Sequence, residues 1–314
     1  MTRSASAGTG HEENVTRSAS ALPSPVVMTD RTKVAQDKAR VLREALPWIT
    51  RWSGQTLVVK YGGNAMSRAA DVAFAADVAL LRAVGLRVVV VHGGGPQISA
   101  LSSELGLEAQ FVDGRRVTDD ATLRAVTMAL LGEVSPRLVG LLLAAGAQAT
   151  GVAGTDSDLV SVSPAPKMGY VGDVTDVDPT LLLTLLDNGM VPVVASLGRG
   201  TDGQTYNVNA DAVAAALAVA LDADKLIYLT NVAGLYEDFG TPDSTLLSDV
   251  SIGRLRELLD QGALNAGMVP KISGVVAALD GGVRQAHLLD GRVEHALLLE
   301  IFTDEGIGTM VVAP

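Results

Sequence analysis

From Asp30 onward, apolar residues recur at helical spacing: Ala35, Ala39, Leu42, Leu46 and Ile49 share one stripe, with Lys and Arg between them. The spacing predicts an amphipathic helix that Pro47 should kink or end. Because it precedes the first strand, its stripe must pack on the domain or on another subunit, and both placements satisfy the pattern. A β-α alternation follows. Thr56–Lys60 reads as a strand, Ser67–Val84 as a helix, Arg87–Val91 as an apolar strand, and Pro96–Leu105 as a helix with proline in its first turn. Thr118 or Asp119 can cap a long helix running to about Ala145. Leu159–Val177 carries Gly, Pro and alternating Val, which predicts hairpins. Asp178-Pro179 looks like an N-cap and first helical residue, and Val191–Ser196 like another strand.

Beyond Asp202-Gly203 the alternation resumes. Helix Asp211–Leu221, strand Lys225–Thr230, helices Ile252–Gln261 and Val269–Leu279 and strand Gln285–Leu289 are expected, then a short helix near His295 and a last strand Thr309–Val312. Short strands alternating with helices imply an α/β fold: a mainly parallel open sheet sandwiched by helices, in two lobes, with an extra N-terminal helix. The expected organisation is a disordered tail over 1–27, a helix over 28–54, and lobes over 55–203 and 204–314. The tail is Ser/Ala/Gly-rich and repeats Thr-Arg-Ser-Ala-Ser-Ala at 2–7 and 16–21, too little apolar surface to offset ordering entropy. Met28, just before the first periodic segment, is a candidate start.

Composition narrows the partners. The 314 residues are 48% hydrophobic, enough for a large core, and carry a formal net charge of −11. Scattered basic residues on an acidic chain exclude a nucleic-acid partner. With no cysteine there is no disulfide framework, thiolate zinc site or thiol nucleophile. His11, His92, His287 and His295 lack the spacing of a helical zinc site. No apolar run reaches the roughly 18 residues of a membrane span, and no secretory signal pattern opens the chain. The expected location is the cytoplasm, with no membrane partner.

Lys60-Tyr-Gly-Gly63 ends one expected strand and His92-Gly-Gly-Gly95-Pro another. Consecutive glycines cost conformational entropy and need a local reason, either positive φ or a close approach of backbone to ligand. A helix opening at Pro96 adds an anion-binding N-terminus; a tight turn without ligand is the plainer alternative. Gly198-Arg-Gly200-Thr-Asp-Gly203 matches a dinucleotide fingerprint in form only, because an extended or turn-like run follows it where a helix is required. No P-loop motif occurs. Asn207-Val-Asn209-Ala-Asp211 opens an Ala-rich helix; Asn209 could cap it, which leaves Asn207 and Asp211 unexplained. Lys271 follows Gly267-Met-Val-Pro at a helix start, where a cation opposes the helix dipole unless an anion sits there too.

Lys60-Tyr-Gly-Gly63, Val91-His-Gly-Gly-Gly95-Pro, Gly114-Arg-Arg116-Val-Thr-Asp119, Tyr170-Val-Gly-Asp-Val174, Asn207-Val-Asn-Ala-Asp211 and Gly267-Met-Val-Pro-Lys271, in that order, resemble the N-acetylglutamate kinases of the amino acid kinase superfamily over about residues 30–314. The resemblance implies the amino acid kinase fold and ATP-dependent phosphorylation of N-acetyl-L-glutamate to N-acetyl-L-glutamyl 5-phosphate in arginine biosynthesis. It implies that Lys60 and Lys271 stabilise the transferring phosphoryl group and that Asp211 organises them. Gly94, Gly95, Arg116 and Asn207 would bind the acceptor, Gly62, Gly63 and Gly93 the phosphates, and the second lobe ATP, with Mg²⁺ held mainly through the nucleotide. Tyr228–Tyr236 is expected to line the nucleotide. The physics agrees: a γ-carboxylate is already ionised at neutral pH, so no general base is needed and no histidine has to serve as one. Catalysis reduces to aligning two anions and neutralising charge. Arg116 suits bidentate grip of a carboxylate.

The N-terminal helix and His295-Ala-Leu-Leu-Leu-Glu300-Ile-Phe-Thr-Asp-Glu-Gly306-Ile-Gly308 resemble the arginine-inhibited branch of the family. That resemblance implies a hexamer, a trimer of dimers joined through the helices, with L-arginine as inhibitor bound near Glu300, His295, Gly306 and Gly308. The plainer reading of Glu300 is a solvated carboxylate on a packed C-terminal segment. His92 is expected to be a structural hydrogen-bonder and His287 a packing residue. The alternatives are a kinase of an N-blocked α-aminoadipate, one methylene longer, and a non-catalytic arginine sensor.

Overall fold

A computed structural model describes residues 30–63, 68–112, 114–237, 244–264, 267–303 and 306–312. The expected tail over 1–27 and the candidate start Met28 lie outside the described residues. By contacts the chain divides into residues 1–44 and 45–314. The described part of the first is helical and leaves Val34, Val41 and Leu42 exposed.

The helix α1 spans Asp30–Trp52 and does not end at Pro47. The residues beyond the proline are anchored: Trp48 and Trp52 join a cluster with Leu57, Leu86 and Val88, which holds the last turn in place despite the missing N–H. Then come β1 (Thr56–Tyr61), α2 (Arg68–Ala83), β2 (Arg87–His92) and α3 (Gly95–Glu104), followed by the two-residue strands β3 (Phe111–Val112) and β4 (Arg115–Arg116).

Asp119 caps α4 (Asp120–Thr127), its carboxylate accepting from Thr122 N at 2.8 Å. The single long helix expected to reach Ala145 is interrupted. Met128–Val134 widens into a π-helical stretch before α5 (Ser135–Ala144). Pro136 has no N–H to give the Gly132 carbonyl, so the ladder must shift there. By length and composition 120–144 could cross a membrane, yet Ala125, Val126, Leu130, Val134, Leu138 and Leu142 are buried against this protein's own core.

The expected hairpin appears as β6 (Val160–Pro164) against β7 (Val171–Val177), after β5 (Ala149–Ala153). With β9 (Leu197–Gly200) and β10 (Thr205–Val208) they close a small barrel, so the false dinucleotide match is the end of β9 and the turn into β10. Asp178 does cap: its Oδ1 accepts from Thr180 N at 3.0 Å, two residues ahead of the start of α6 (Thr180–Asp187). The second half of the chain adds β8 (Val191–Ala195) to the sheet, then α7 (Ala210–Ala220), β11 (Lys225–Thr230), β12 (Tyr236–Glu237), β13 (Thr245–Leu246), β14 (Asp249–Ser251), α8 (Ile252–Asp260), α9 (Val269–Asp280), β15 (Gln285–Asp290), α10 (Ala296–Phe302) and β16 (Thr309–Val312).

The main sheet runs β14-β16-β15-β11-β1-β2-β8-β5 and is parallel except where β15 meets β16. It is continuous across the two expected lobes. Its central strands are buried on both faces, which explains their unbroken apolar runs. Val58, Val89 and Val91 face α7 and α9 through Val213, Leu217 and Ile272. Leu57, Val59, Tyr61 and Val90 face α2 and α5 through Phe74, Leu81, Leu138 and Leu142. Chain order reverses direction between β1 and β11, so the carboxyl ends of those two strands flank the position where open α/β sheets bind ligands.

Candidate active site

Lys60 sits at that position. It is the penultimate residue of β1, paired in register with Tyr228 of β11 and Val91 of β2, and alternation along the strand turns it toward α7 while Tyr61 turns to the opposite face. Its Nζ lies 3.2 Å from Asp211 Oδ1. Lys271, in the first turn of α9, donates from Nζ to Asp211 Oδ2 at 2.9 Å. Three elements thus deliver two ammonium groups to one buried carboxylate. Burial alone would raise the Asp211 carboxyl, but the charges of Lys60 and Lys271 outweigh it and hold the group below the usual carboxylate range. The Lys60 contact lacks hydrogen-bond geometry, and Oδ1 has no other hydrogen-bond partner among the described residues.

Asn209 caps α7, its Oδ1 accepting from Asp211 N at 2.7 Å and Ala212 N at 3.3 Å, which aims the first turn of that helix at the lysines. Sequence reasoning missed Tyr228. Placed in the nucleotide-lining stretch, it is instead fully buried, and its hydroxyl donates to the Asp211 carbonyl at 2.9 Å, underneath the carboxylate. The apolar strand around it carried no signal of this, since Tyr fits a buried strand as well as Leu does.

The two glycine turns differ. Gly63 has φ +68°, a conformation other residues rarely adopt. Gly93, Gly94 and Gly95 have no positive φ, and their reason is space. A Cβ on Gly94 would stand 2.8 Å from Leu130 Cδ2 and 3.2 Å from Val134 Cγ2, both in the π-helical stretch. One on Gly93 would touch Ala210 Cβ at 3.4 Å, so this turn lies against the start of α7 beside Asp211. One on Gly95 would meet nothing within 4 Å among the described residues. Gly95 is exposed and opens α3, where backbone N–H groups lack intrahelical partners.

Arg116 and Asn207, far apart in sequence, are joined through Thr118. Asn207 Nδ2 donates to Thr118 Oγ1 at 3.2 Å, and that hydroxyl donates to the Arg116 carbonyl at 2.9 Å. Thr118 is therefore a bridge rather than the helix cap it could have been. The Arg116 guanidinium is buried over the Phe111 ring, 4.8 Å from its centroid, and donates from Nη2 to Ser99 Oγ at 2.7 Å. Its Nη1 is buried without a partner among the described residues, and desolvation lowers its pKa. A buried guanidinium with an idle N–H is chemically suited to an anion with planar oxygens.

The Amino acid kinase family model matches residues 55–290, a stretch that contains every one of these residues. The chain belongs to that family. Acetylglutamate kinase of Frankia alni is 52% identical over 292 residues, covering 90% of this chain and 84% of that one. Acetylglutamate kinase of Symbiobacterium thermophilum is 48% identical, covering 88% and 98%. Among solved structures, N-acetylglutamate synthase from Neisseria gonorrhoeae with coenzyme A and N-acetyl-glutamate aligns with TM-score 0.77 at 30% identity. That match covers 87% of this chain, which spans 63% of the synthase chain. Carbamate kinase from Giardia lamblia bound to AMP-PNP, 18% identical with TM-score 0.64, shares the fold over 83% of this chain and 99% of its own. This family member is thus a kinase that uses ATP. Among its described residues no group of three His, Asp or Glu could hold a metal, and both oxygens of Asp211 face lysines.

The kinase carries a second buried polar cluster, built on Lys225 at the amino end of β11, His287 of β15 and Glu300 of α10. Glu300 of α10 is not solvated: its Oε1 accepts from His287 Nδ1 at 2.6 Å and its Oε2 from Ile307 N at 3.0 Å. Gly306, with φ +60°, lets that backbone close on Glu300, where a Cβ would stand 3.3 Å from Oε2. Gly308 packs on the Leu288 carbonyl with no room for a side chain. His287, expected only to pack, takes Lys225 Nζ on Nε2 at 2.9 Å, so its neutral tautomer is set by its neighbours. Burial lowers the His287 pKa against the pull of Glu300. Burial alone would raise Glu300, but the His287 hydrogen bond and the Ile307 N–H keep it low. Lys225, its ammonium 4.4 Å from the Trp52 ring centroid, is pushed down by burial to about 8. His295 goes elsewhere: its Nδ1 meets the buried Asp77 Oδ1 at 2.6 Å. Glu300, Gly306 and Gly308 come together with His287, and His295 turns to α2.

A groove of about 780 Å³ runs along α7 and α9 against β7, lined by Val174, Ala212, Ala216, Val219 and Pro270. None of Lys60, Arg116, Asp211 and Lys271 lines it.

Proposed function

We propose that this kinase transfers the γ-phosphoryl group of ATP to the side-chain carboxylate of N-acetyl-L-glutamate, giving ADP and N-acetyl-L-glutamyl 5-phosphate for arginine biosynthesis. The observation that carries this reading is the pairing of Lys60 and Lys271 across Asp211 at the sheet's switch point, to which the idle, buried N–H of Arg116 adds a second group suited to an anion. The names of the relatives support the acceptor's identity.

In the proposed reaction a carboxylate oxygen attacks the γ-phosphorus as the bond to the ADP oxygen breaks. No proton moves, so no base is needed, and the work is alignment and charge neutralisation. Lys60 and Lys271 neutralise the equatorial oxygens, the exposed amide of Gly95 and the Gly62–Gly63 turn hold anionic oxygens, and Gly93 and Gly94 shape the surface on which they lie. Arg116, fixed by Ser99 and linked through Thr118 to Asn207, grips the acceptor's other carboxylate. Asp211 holds the lysines apart at fixed positions. Magnesium would enter on the nucleotide's phosphates, since among the described residues the site holds no acidic cluster.

L-arginine is the proposed inhibitor, bound beside Glu300, Gly306 and Gly308, with His287 and Lys225 beneath them and His295 at the head of α10. An acid held ionised in a buried cluster suits a guanidinium or ammonium ligand. The exposed Val34, Val41 and Leu42 on α1 support assembly through that helix into a hexamer. A cytoplasmic location completes the reading. Hydroxylamine trapping tests it: acyl hydroxamate should form only when ATP and N-acetyl-L-glutamate are both present, and its absence would overturn the assignment.

A further inference from the structure

Behind the site, on the sheet face away from Asp211, lies a buried group that the phosphoryl chemistry does not use. Tyr61, between Lys60 and the Gly62–Gly63 turn, is fully buried and stacks on Phe74 with ring centroids 4.1 Å apart and planes 13° apart. Its hydroxyl donates to Asp71 Oδ1 at 2.7 Å. Asp71, in the first turn of α2 and only 4% exposed, accepts on Oδ2 from Arg137 Nη1 in an ion pair. Burial and this acceptor raise the phenol's pKa, so Tyr61 remains the donor at any pH the protein meets.

The three residues connect the two glycine turns. Arg137 lies in the first turn of α5, three residues after Val134, and Val134 with Leu130 forms the wall that excludes a side chain at Gly94. Tyr61 lies one residue after Lys60 and one before Gly62. It is also the register partner of His92, which opens the other glycine run. One carboxylate therefore references both turns to each other. A buried ion pair of this kind contributes little net stability once desolvation is counted, because a well-packed apolar set could replace it. What an apolar set could not supply is direction. The hydrogen bond fixes the rotation of the β1 end, and the charge fixes α5 against α2.

We propose that Asp71, held by Arg137, is a positioning residue for phosphoryl transfer: through the Tyr61 hydroxyl it sets the Lys60–Gly63 turn relative to the Gly93–Gly95 turn. The proposal rests on the reading that this site phosphorylates a carboxylate. Misplacement by about 1 Å at a site that works by alignment can cost up to about 100-fold in rate. Losing one of several restraints should cost less, and should act on the chemical step rather than on binding.

The test is steady-state hydroxamate kinetics on the full chain with Tyr61→Phe, Asp71→Asn and the double variant, alongside thermal melts. Tyr61→Phe removes one oxygen and keeps the Phe74 stack, so it serves even if Asp71→Asn fails to fold. The expected result for Tyr61→Phe is a fall in kcat of about tenfold with KM for ATP and acceptor within about twofold. The double variant should be no slower than Asp71→Asn alone, because both break one link. A Tyr61→Phe enzyme with wild-type kcat and only a lowered melting temperature would overturn the proposal and leave the function standing. A wild type that forms no hydroxamate at all would overturn both.

Discussion

Asp211 and Lys60 meet across 3.2 Å from a helix start and a strand end that lie 151 positions apart in sequence (211 − 60), with Lys271 closing the other side at 2.9 Å. Both oxygens of the buried carboxylate face ammonium groups, and the role proposed for it is to hold them. Asp211→Asn keeps shape and removes the charge. It should lower kcat by about 100- to 1,000-fold, the scale of losing a preorganised electrostatic partner. The melting temperature should fall as well, because two ammonium groups lose their counterion. Near-normal turnover would contradict the assignment.

The glycine run separates packing from ligand approach. Gly94→Ala must push Leu130 and Val134 aside and should destabilise the fold by about 1–3 kcal/mol, whereas Gly95→Ala meets open space and should leave the denaturation midpoint unchanged. Activity should order them differently, with Gly95→Ala raising the KM for acceptor severalfold. Urea unfolding and initial-rate kinetics on the two variants check this, and a stability loss at Gly95 equal to that at Gly94 would defeat the distinction.

His92 gives the kinase an acid-sensitive core. Burial pushes its folded pKa from 6.5 down to about 4. Between those values the unfolded chain binds a proton that the folded one excludes, so stability is complete above pH 6.5 and is lost as pH falls toward 4. The full effect is about 3 kcal/mol. Most carboxylates remain ionised down to about pH 5, so urea midpoints at pH 7 and pH 5.5 read the histidines, and comparison with a His92 variant separates this imidazole from His287 and His295. His92→Asn should show a shallower loss over that interval than wild type, and parallel losses would refute the buried-neutral assignment. His295 has the opposite sign, since Asp77 raises its pKa, and its stabilisation fades on the alkaline side.

Glu300 and the first helix carry the regulatory prediction. Glu300→Gln should shift inhibition by L-arginine to at least about tenfold higher concentration, as expected for losing a charge-assisted contact. Removing residues 1–44, which leaves the compact unit from Ala45 intact, should reduce the oligomer to a dimer. Light scattering and inhibition curves read both. Unchanged arginine sensitivity in Glu300→Gln would remove that residue from the inhibitor site.

Much of this was legible in sequence because local signals and global fold agree. Val88–Val91 and Leu226–Leu229 read as strands since both faces are covered, and Asp119, Asn209 and Asp178 cap the helices their side-chain chemistry suits. Lys60, Asp211 and Lys271 could be grouped through the family resemblance, and Lys271 also because a cation in the first turn of a helix lacks a local reason. What was not legible depends on tertiary distance. The π-helical break follows from Pro136, but its function as a wall for Gly94 does not. The sequence put His295 with Glu300 and left His287 to packing, whereas the fold sends His287 to Glu300 and His295 to Asp77. Asp71 and Arg137 lie outside every motif, and Tyr61 lies inside Lys60-Tyr-Gly-Gly63 without a role that the motif explains, because a buried network is defined by who meets whom.

The most direct measurement is the acceptor comparison under hydroxylamine trapping with ATP, using N-acetyl-L-glutamate, its homologue N-acetyl-L-α-aminoadipate and free L-glutamate. One methylene in a fitted pocket is worth about 1–3 kcal/mol, or about 10- to 200-fold. N-acetyl-L-glutamate should give hydroxamate with kcat/KM at least about tenfold above either competitor. No hydroxamate from it, or a higher kcat/KM for the aminoadipate, would contradict the account.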